Sequence, residues 1–261
     1  MPTITELTSA PRRALPIFYV LDTSGSMSGA PIERLNHAME ETIDALKQVA
    51  AHNGDAQLKV AVLEFNSTVR WLQPAGPEDM EDFIWQDLSA GGMTAMGAAL
   101  TELDSKLSRN GFLSSATGSL YPVIIFMTDG MANDDYEGPL KTIRQNKFFK
   151  HAVKVRFAIG DNADAEMIAK AVGDSEAVIK TDDLALFARL MRFVSVTSST
   201  MASVSHTAET DINGASVVQA VIAQEEIEQE AIDPGVTVTI IDEPDDIDGD
   251  DGDDPWNFEE W

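Results

Sequence analysis

The chain has 261 residues, 44% of them hydrophobic, enough for one large α/β domain with extensions or for two small domains. It contains no cysteine, which rules out a disulfide framework, a thiolate zinc site and a cysteine nucleophile together. The formal net charge is −26 and unevenly placed: residues 1–192 hold 26 acids and 18 bases, whereas residues 193–261 hold 18 acids and no Lys or Arg. Such a surface repels phosphate, which argues against nucleic acid or anionic membrane as partners and in favour of cations and basic protein surfaces. No stretch approaches the ~20 apolar residues of a membrane span, and the first residues lack the pattern of a secretory signal. The expected localisation is cytoplasmic.

Residues 1–13 read as an N-terminal extension. Beyond them, apolar strands alternate with amphipathic helices. Strands are predicted at 17–21, 58–65, 69–72, 123–127, 153–159 and 177–179. Helices are predicted at 31–51, 95–108, 136–150, 164–171 and 183–204, the first opening on Pro31 and the last preceded by Asp183. The polar turn Asn66-Ser67-Thr68 joins two of the strands as a hairpin. The expected fold class is therefore α/β: a three-layer, doubly wound, mostly parallel sheet with one antiparallel edge strand. Residues 205–241 read as a linker with a helix at 216–232 and a β-branched strand at 236–241. Residues 242–261 form an acidic tail with aromatic residues, and no internal repeat is present.

Directly behind the first strand stands Asp22-Thr23-Ser24-Gly25-Ser26. Read locally, it is either a capped strand-to-helix turn or half of a divalent-cation site. Two further signals, Gly91-Gly92-Met93-Thr94 and Met127-Thr128-Asp129-Gly130, sit where the other half would be needed. In an open parallel sheet, ligands gather beyond the carboxyl ends of the strands, so the three loops have a common place to meet. Asp22, Ser24, Ser26, Thr94 and Asp129 offer only oxygen. That set suits a hard ion, Mg²⁺ first, with Mn²⁺ or Ca²⁺ as alternatives, rather than zinc or copper. Alternate spacing of Asp22, Ser24 and Ser26 is expected to turn three side chains to one side, with Gly25 and Gly91-Gly92 allowing close backbone approach. Two carboxylates leave such an ion only partly neutralised and open to an outside anionic ligand.

This pattern resembles the von Willebrand factor A family and its metal-ion-dependent adhesion site (MIDAS), over about residues 14–204. The resemblance implies that Asp22, Thr94 and Asp129 hold the metal directly or through water, that Ser24 and Ser26 coordinate it, and that a partner's carboxylate completes the shell. A narrower likeness lies in residues 21–33, 91–100 and 126–130, which are similar to the bacterial TerY group of tellurium-resistance and stress-response neighbourhoods. It implies a cytoplasmic adaptor beside a protein kinase and a PP2C-type phosphatase. Met93 departs from the threonine often found there, without touching the ligand set.

Other chemistries fare less well. A phosphatase with an aspartyl nucleophile needs a second carboxylate two residues on, and that position is Ser24. Neither a phosphate-binding Gly-Lys loop nor a Gly-x-Ser-x-Gly elbow is present, and His37, His52, His151 and His206 lie away from the three loops in sequence. The chain is expected not to be an enzyme, with metal-dependent hydrolysis a minor alternative. Thr197-Ser198-Ser199-Thr200, with Ser203 and Ser205, reads as a polar helix face or as the phosphorylation target of an associated kinase. Asp134-Asp135 are expected to cap the helix starting near Tyr136, and Glu64 to be structural. Asp246, Asp248 and Asp250 fail the EF-hand pattern, because Asp251 and Asn257 occupy its sixth and twelfth positions. Trp256, Phe258, Glu259, Glu260 and Trp261 read either as part of a solvated extension or as a partner-binding motif, since aromatic anchors are costly to leave in water. Asp254, Glu259 and Glu260 are also candidates for the carboxylate that completes the metal shell.

Overall fold

The first strand, β1 (Arg13–Asp22), sets the architecture because nine of its ten residues are buried. A strand buried on both faces belongs at the centre of a sheet with helices on either side. The computed structural model describes residues 12–129, 132–159, 177–181, 191–192, 194–200, 216 and 237–240. Pro16, which cannot donate to a ladder, is accommodated because pairing of β1 with its neighbour at 123 begins only at Ile17.

The remaining strands are β2 (Ala56–Phe65), β3 (Val69–Trp71), β4 (Glu78–Asp79), β5 (Val123–Thr128), β6 (Val153–Ile159), β7 (Ala177–Thr181) and β8 (Thr237–Ile240). They form one eight-stranded sheet in the order β3-β2-β1-β5-β6-β7-β8, with β4 pairing to β2. The β1–β2, β1–β5, β5–β6 and β6–β7 pairs are parallel, and β2–β3 is the expected antiparallel hairpin, with Phe65 opposite Val69. The mostly parallel α/β sheet is as the alternation predicts. Two additions were not legible: the two-residue β4, too short for any periodicity, and the attachment of β8. The strand expected inside a linker instead closes the far edge of the sheet, antiparallel to β7.

Side-chain alternation along β1 sends Leu15, Ile17, Tyr19 and Leu21 to one face, where they pack with Leu35, Met39, Ile43 and Leu46 of α1 (Ala30–His52). Phe18 and Val20 point to the other, against Met96, Leu100 and Leu103 of α2 (Met96–Lys106) and Leu140 and Ile143 of α3 (Glu137–Ile143). Each fully buried side chain of this kind contributes about 1.5–3 kcal/mol relative to exposure. Residues 191–192 and 194–200 are helical and join the first face through Met191 and Val194. Tyr19 there donates to Ser195 Oγ at 2.9 Å, which satisfies a phenol otherwise buried in apolar surroundings.

The helix expected over 136–150 is two helices, α3 and α4 (Lys147–Lys150). Asn146 causes the break. Its Oδ1 accepts from the Phe148 amide at 2.9 Å to cap α4, while its Nδ2 donates to Asp104 Oδ1 at 2.8 Å and the Leu107 carbonyl at 3.1 Å. An asparagine that caps one helix and ties down the end of another outweighs the modest propensity for a continuous turn. The helix expected at 164–171 lies outside the described residues, as does 205–215. Of the helix expected at 216–232, only Ser216 is described, and it is helical. Among the described residues no helix is long and apolar enough to cross a membrane.

Candidate metal centre

β1 and β5 run side by side and end together, so Asp22 and Thr128 emerge at the same carboxyl edge, both fully buried. Thr128 Oγ1 donates to Asp22 Oδ2 at 2.6 Å, and the Ser24 amide donates to Asp22 Oδ1 at 2.8 Å. Both carboxylate oxygens are thus held in place. The chain then leaves the strand and enters a 3-10 turn, Gly25–Met27, anchored by the fully buried Met27. This turn, rather than strand-like alternation, is what brings the two serines together, with Ser24 Oγ 3.1 Å from Ser26 Oγ. Ser26 Oγ in turn donates to Asp129 Oδ1 at 2.8 Å, from the end of β5. Asp22, Ser24, Ser26 and Asp129 therefore form one continuous cluster of oxygens.

Thr94 reaches the same edge through its backbone. Gly91 N donates to the Thr23 carbonyl at 2.8 Å and Gly25 N to the Gly92 carbonyl at 3.0 Å, so the 89–95 loop is laced to the first motif. A Cβ on Gly25 would stand 3.1 Å from that same Gly92 oxygen, and Gly92 itself has φ +85°, which only glycine adopts cheaply. The Thr94 amide donates to Asn133 Oδ1 at 2.8 Å, and its carbonyl accepts from the Asn133 amide at 2.9 Å. All three loops are joined, and Thr94 is buried.

Several supporting residues were not legible in the sequence. Asn133 carried no motif of its own, and Thr128, Asn66 and Ser67 stood in quoted segments without a supporting role being assigned to them. Ser67 Oγ accepts from the Met93 amide at 2.9 Å, and the Asn66 carbonyl accepts from Ala95 N at 2.8 Å. Asp134 was expected to cap the helix near Tyr136, and only its neighbour does so: Asp135 Oδ1 accepts from Glu137 N at 3.2 Å. Asp134 instead caps α2, taking the Gly97 and Ala98 amides at 3.0 Å each. Its signal, an acid pair after a strand, was visible, but which helix it served depended on the tertiary arrangement.

Burial raises the pKa of Asp22, with hydrogen bonds from Thr128 and Ser24 working against it and the charge of Asp129 adding to it. Asp129 is also raised by burial, opposed by Ser26. Two like charges are thus held near one another, Asp22 fully buried and Asp129 half-buried, a setting that favours a cation between them. Among the described residues no group of three or more His, Cys, Asp or Glu side chains is placed to hold a metal. The chemistry available is two carboxylates with neutral hydroxyls, an oxygen set that fits Mg²⁺ and offers no nitrogen or sulfur.

Glu64 pairs with Arg70 across the hairpin. His37 pairs with Glu41, His52 Nδ1 bonds the Gln48 carbonyl, and His151 stacks near Tyr121. His206 and the tail residues Trp256, Phe258, Glu259, Glu260 and Trp261 lie outside the described residues. In the hydroxyl cluster, Ser198 and Ser199 are buried, while Ser199 and Thr200 donate back to the Ser195 and Val196 carbonyls. Ser203 and Ser205 lie outside the described residues.

The sequence profile of the von Willebrand factor type A domain matches residues 17–192. The chain belongs to the von Willebrand factor type A (VWA) family. VWA domains are commonly protein-interaction modules and generally non-catalytic. This VWA chain is 29% identical over 148 residues to mouse von Willebrand factor A domain-containing protein 2, a match spanning 55% of this chain but only 17% of that protein. Among solved structures, the VWA protein of Catenulispora acidiphila superposes with a TM-score of 0.54 at 19% identity, covering 72% of this chain and 43% of that one. Proximal thread matrix protein 1 from the mussel byssus, in a form with a zinc-occupied MIDAS motif, superposes with a TM-score of 0.51 at 16% identity, covering 72% of this chain and 48% of its own. These two likenesses establish the fold alone.

Proposed function

We propose that this VWA domain is a Mg²⁺-dependent protein-binding module in which Asp22, Ser24, Ser26, Thr94 and Asp129 hold the ion and a partner's carboxylate completes its shell. The observation that carries the reading is the hydrogen-bonded run from Asp22 through Ser24 and Ser26 to Asp129; the backbone of Thr94, bonded to Asn133 on a loop laced to the first motif, supports it. The ion supplies an exposed positive charge; the chain's residues position it and keep its far side dry. A zinc-occupied MIDAS in the mussel protein supports a divalent ion here, while the oxygen-only donors favour Mg²⁺, with Mn²⁺ or Ca²⁺ next. The module acts by clamping rather than by covalent chemistry.

The likeness of residues 21–33, 91–100 and 126–130 to the TerY group supports a finer reading: a bacterial, cytoplasmic adaptor in a stress-response complex with a protein kinase and a PP2C-type phosphatase. Titration calorimetry of the intact chain with Mg²⁺ tests the core of the proposal. One site is expected, and no heat of binding up to millimolar ion would overturn it. Thr128→Val, which removes the hydrogen bond to Asp22 Oδ2, is expected to weaken Mg²⁺ roughly tenfold in the same titration, because groups behind a ligand orient it.

A further inference from the structure

A net charge of −26 predicts basic partners, yet the fold gathers one basic face. Residues 105–128 and 138–160 hold eight of the chain's 18 Lys and Arg and none of its 44 Asp and Glu. The two segments meet at the amino edge of the sheet, where Ser119 pairs with Ala14 at the start of β1 and Val153 N donates to the Pro122 carbonyl. Asn146 ties α4 to the end of α2, and the buried Lys154 Nζ donates to the Phe149 and Ala152 carbonyls at 3.0 and 3.2 Å, fixing α4 from behind. The metal centre lies at the opposite edge, one ten-residue strand or about 30 Å away.

Arg109, Lys147 and Lys150 are exposed on this face, and none of them pairs with an acid among the described residues. The nearest acids are engaged: Glu102 with Trp71 Nε1 and Lys106, Asp104 with Asn146. Arg109 and Phe148 line one cavity of about 320 Å³. Its hydroxyls are spent internally, Ser119 on the Leu113 carbonyl, Thr117 on the Arg12 carbonyl and Ser115 on Thr117, so recognition there falls to the cations. Beside them Tyr121, 38% exposed, stacks on His151 at 4.8 Å and on Phe148 at 6.3 Å. We propose that this face is a second docking surface, taking a short acidic peptide of a partner protein whose carboxylates meet Arg109, Lys147 and Lys150 while an apolar residue covers Tyr121. A peptide suits the patch better than a nucleic acid does. Attraction reaches only about 8 Å at physiological salt, and toward β2 the same edge turns acidic, with Asp79, Glu81 and Asp82 gathered around Arg12. A long polyanion would run onto that surface; a few carboxylates need not. The contact needs no ion, so it adds to the metal-held contact at the other edge, and a partner offering acids to both gains from their linkage.

The test titrates the intact chain, in EDTA, into a fluorescein-labelled peptide of sequence Glu-Asp-Glu-Phe-Glu-Asp-Glu and reads anisotropy. EDTA removes any contribution of a bound ion. The expected Kd is on the order of 10 µM at low ionic strength and about tenfold weaker at ~0.15 M salt, too weak for capture by this face alone. Arg109→Glu weakens binding about fivefold, and adding Lys147→Glu and Lys150→Glu abolishes it. Arg34→Glu, an equal charge change at an exposed site on α1 in the other helical layer, leaves it unchanged. Tyr121→Ala costs about threefold, and the same peptide with Gln and Asn for its acids does not bind. Equal weakening by Arg34→Glu and Arg109→Glu reports net charge alone and overturns the inference, as does no binding at all. Binding seen only with Mg²⁺ places the peptide at the metal centre and overturns it too, leaving the ion-binding reading standing. A thymidine oligonucleotide of about fifteen residues that binds more tightly than the peptide makes the occupant a nucleic acid and overturns the choice of partner.

Discussion

Asp22→Ala is expected to lower Mg²⁺ affinity on the order of a hundredfold and to abolish capture of any carboxylate-bearing partner, with the fold retained. The expectation follows from placement: Asp22 is fully buried at the end of β1, and both its oxygens are fixed by Thr128 and Ser24. EDTA on the unmodified chain should reproduce the loss. The companion Asp22→Asn sharpens the physics. It keeps the shape and the Ser24 contact but removes the buried member of two neighbouring carboxylates. Burial raises the pKa of both acids, which means that folding without an ion disfavours their ionised forms at neutral pH. Asp22→Asn is therefore expected to stabilise the ion-free domain by about 1 kcal/mol, or roughly 2–4 °C in Tm, while losing the gain that Mg²⁺ confers. Equal Tm values for both proteins in EDTA and in Mg²⁺ would contradict this account. Partner capture that survives EDTA would contradict the clamp itself.

Gly97→Ala is expected to destabilise the domain by about 3 kcal/mol and lower its Tm by roughly 6–12 °C. A Cβ there would stand 2.0 Å from the Asp135 carbonyl oxygen and 3.1 Å from an Asp134 carboxylate oxygen. The obstacle is backbone, so no rotamer relieves it. The loop after β5 must retreat, taking Asp134 off the α2 amides and shifting Asp129 away from Ser26. Stability and ion affinity should fall together. Gly29→Ala is the contrast, because Gly29 has φ +83° but nothing within 4 Å of where a methyl group would stand. Strain alone costs about 1 kcal/mol. Thermal unfolding of both variants checks the ranking, and a Gly97→Ala chain as stable as Gly29→Ala would refute it.

The parts of this molecule that were legible share one property: their signal is local and repeated. β6 was bounded to the residue by its apolar run, and α1 to within one residue at each end by Pro31 and its apolar spacing. The hairpin followed from three polar residues between two apolar runs. The 136–150 region failed because Asn146 takes its partners from α2, about forty residues away. Two-residue β4 had no pattern to read, and β8 was recognised as a strand without its neighbour being visible.

At the candidate site, the sequence by itself determined the donor chemistry: five oxygen-bearing side chains, spaced behind strands and glycines, and no cysteine anywhere. Only the tertiary structure decided which of these groups meet. The parallel β1–β5 ladder sets Asp22 beside Thr128, a 3-10 turn folds Ser24 onto Ser26, and Asn133 and Asp134 bind the Thr94 loop from across the chain. The physical reason is range. Motif spacing encodes what one loop can offer, whereas convergence of three loops depends on strand register and hydrogen bonds between residues 26 to 106 positions apart.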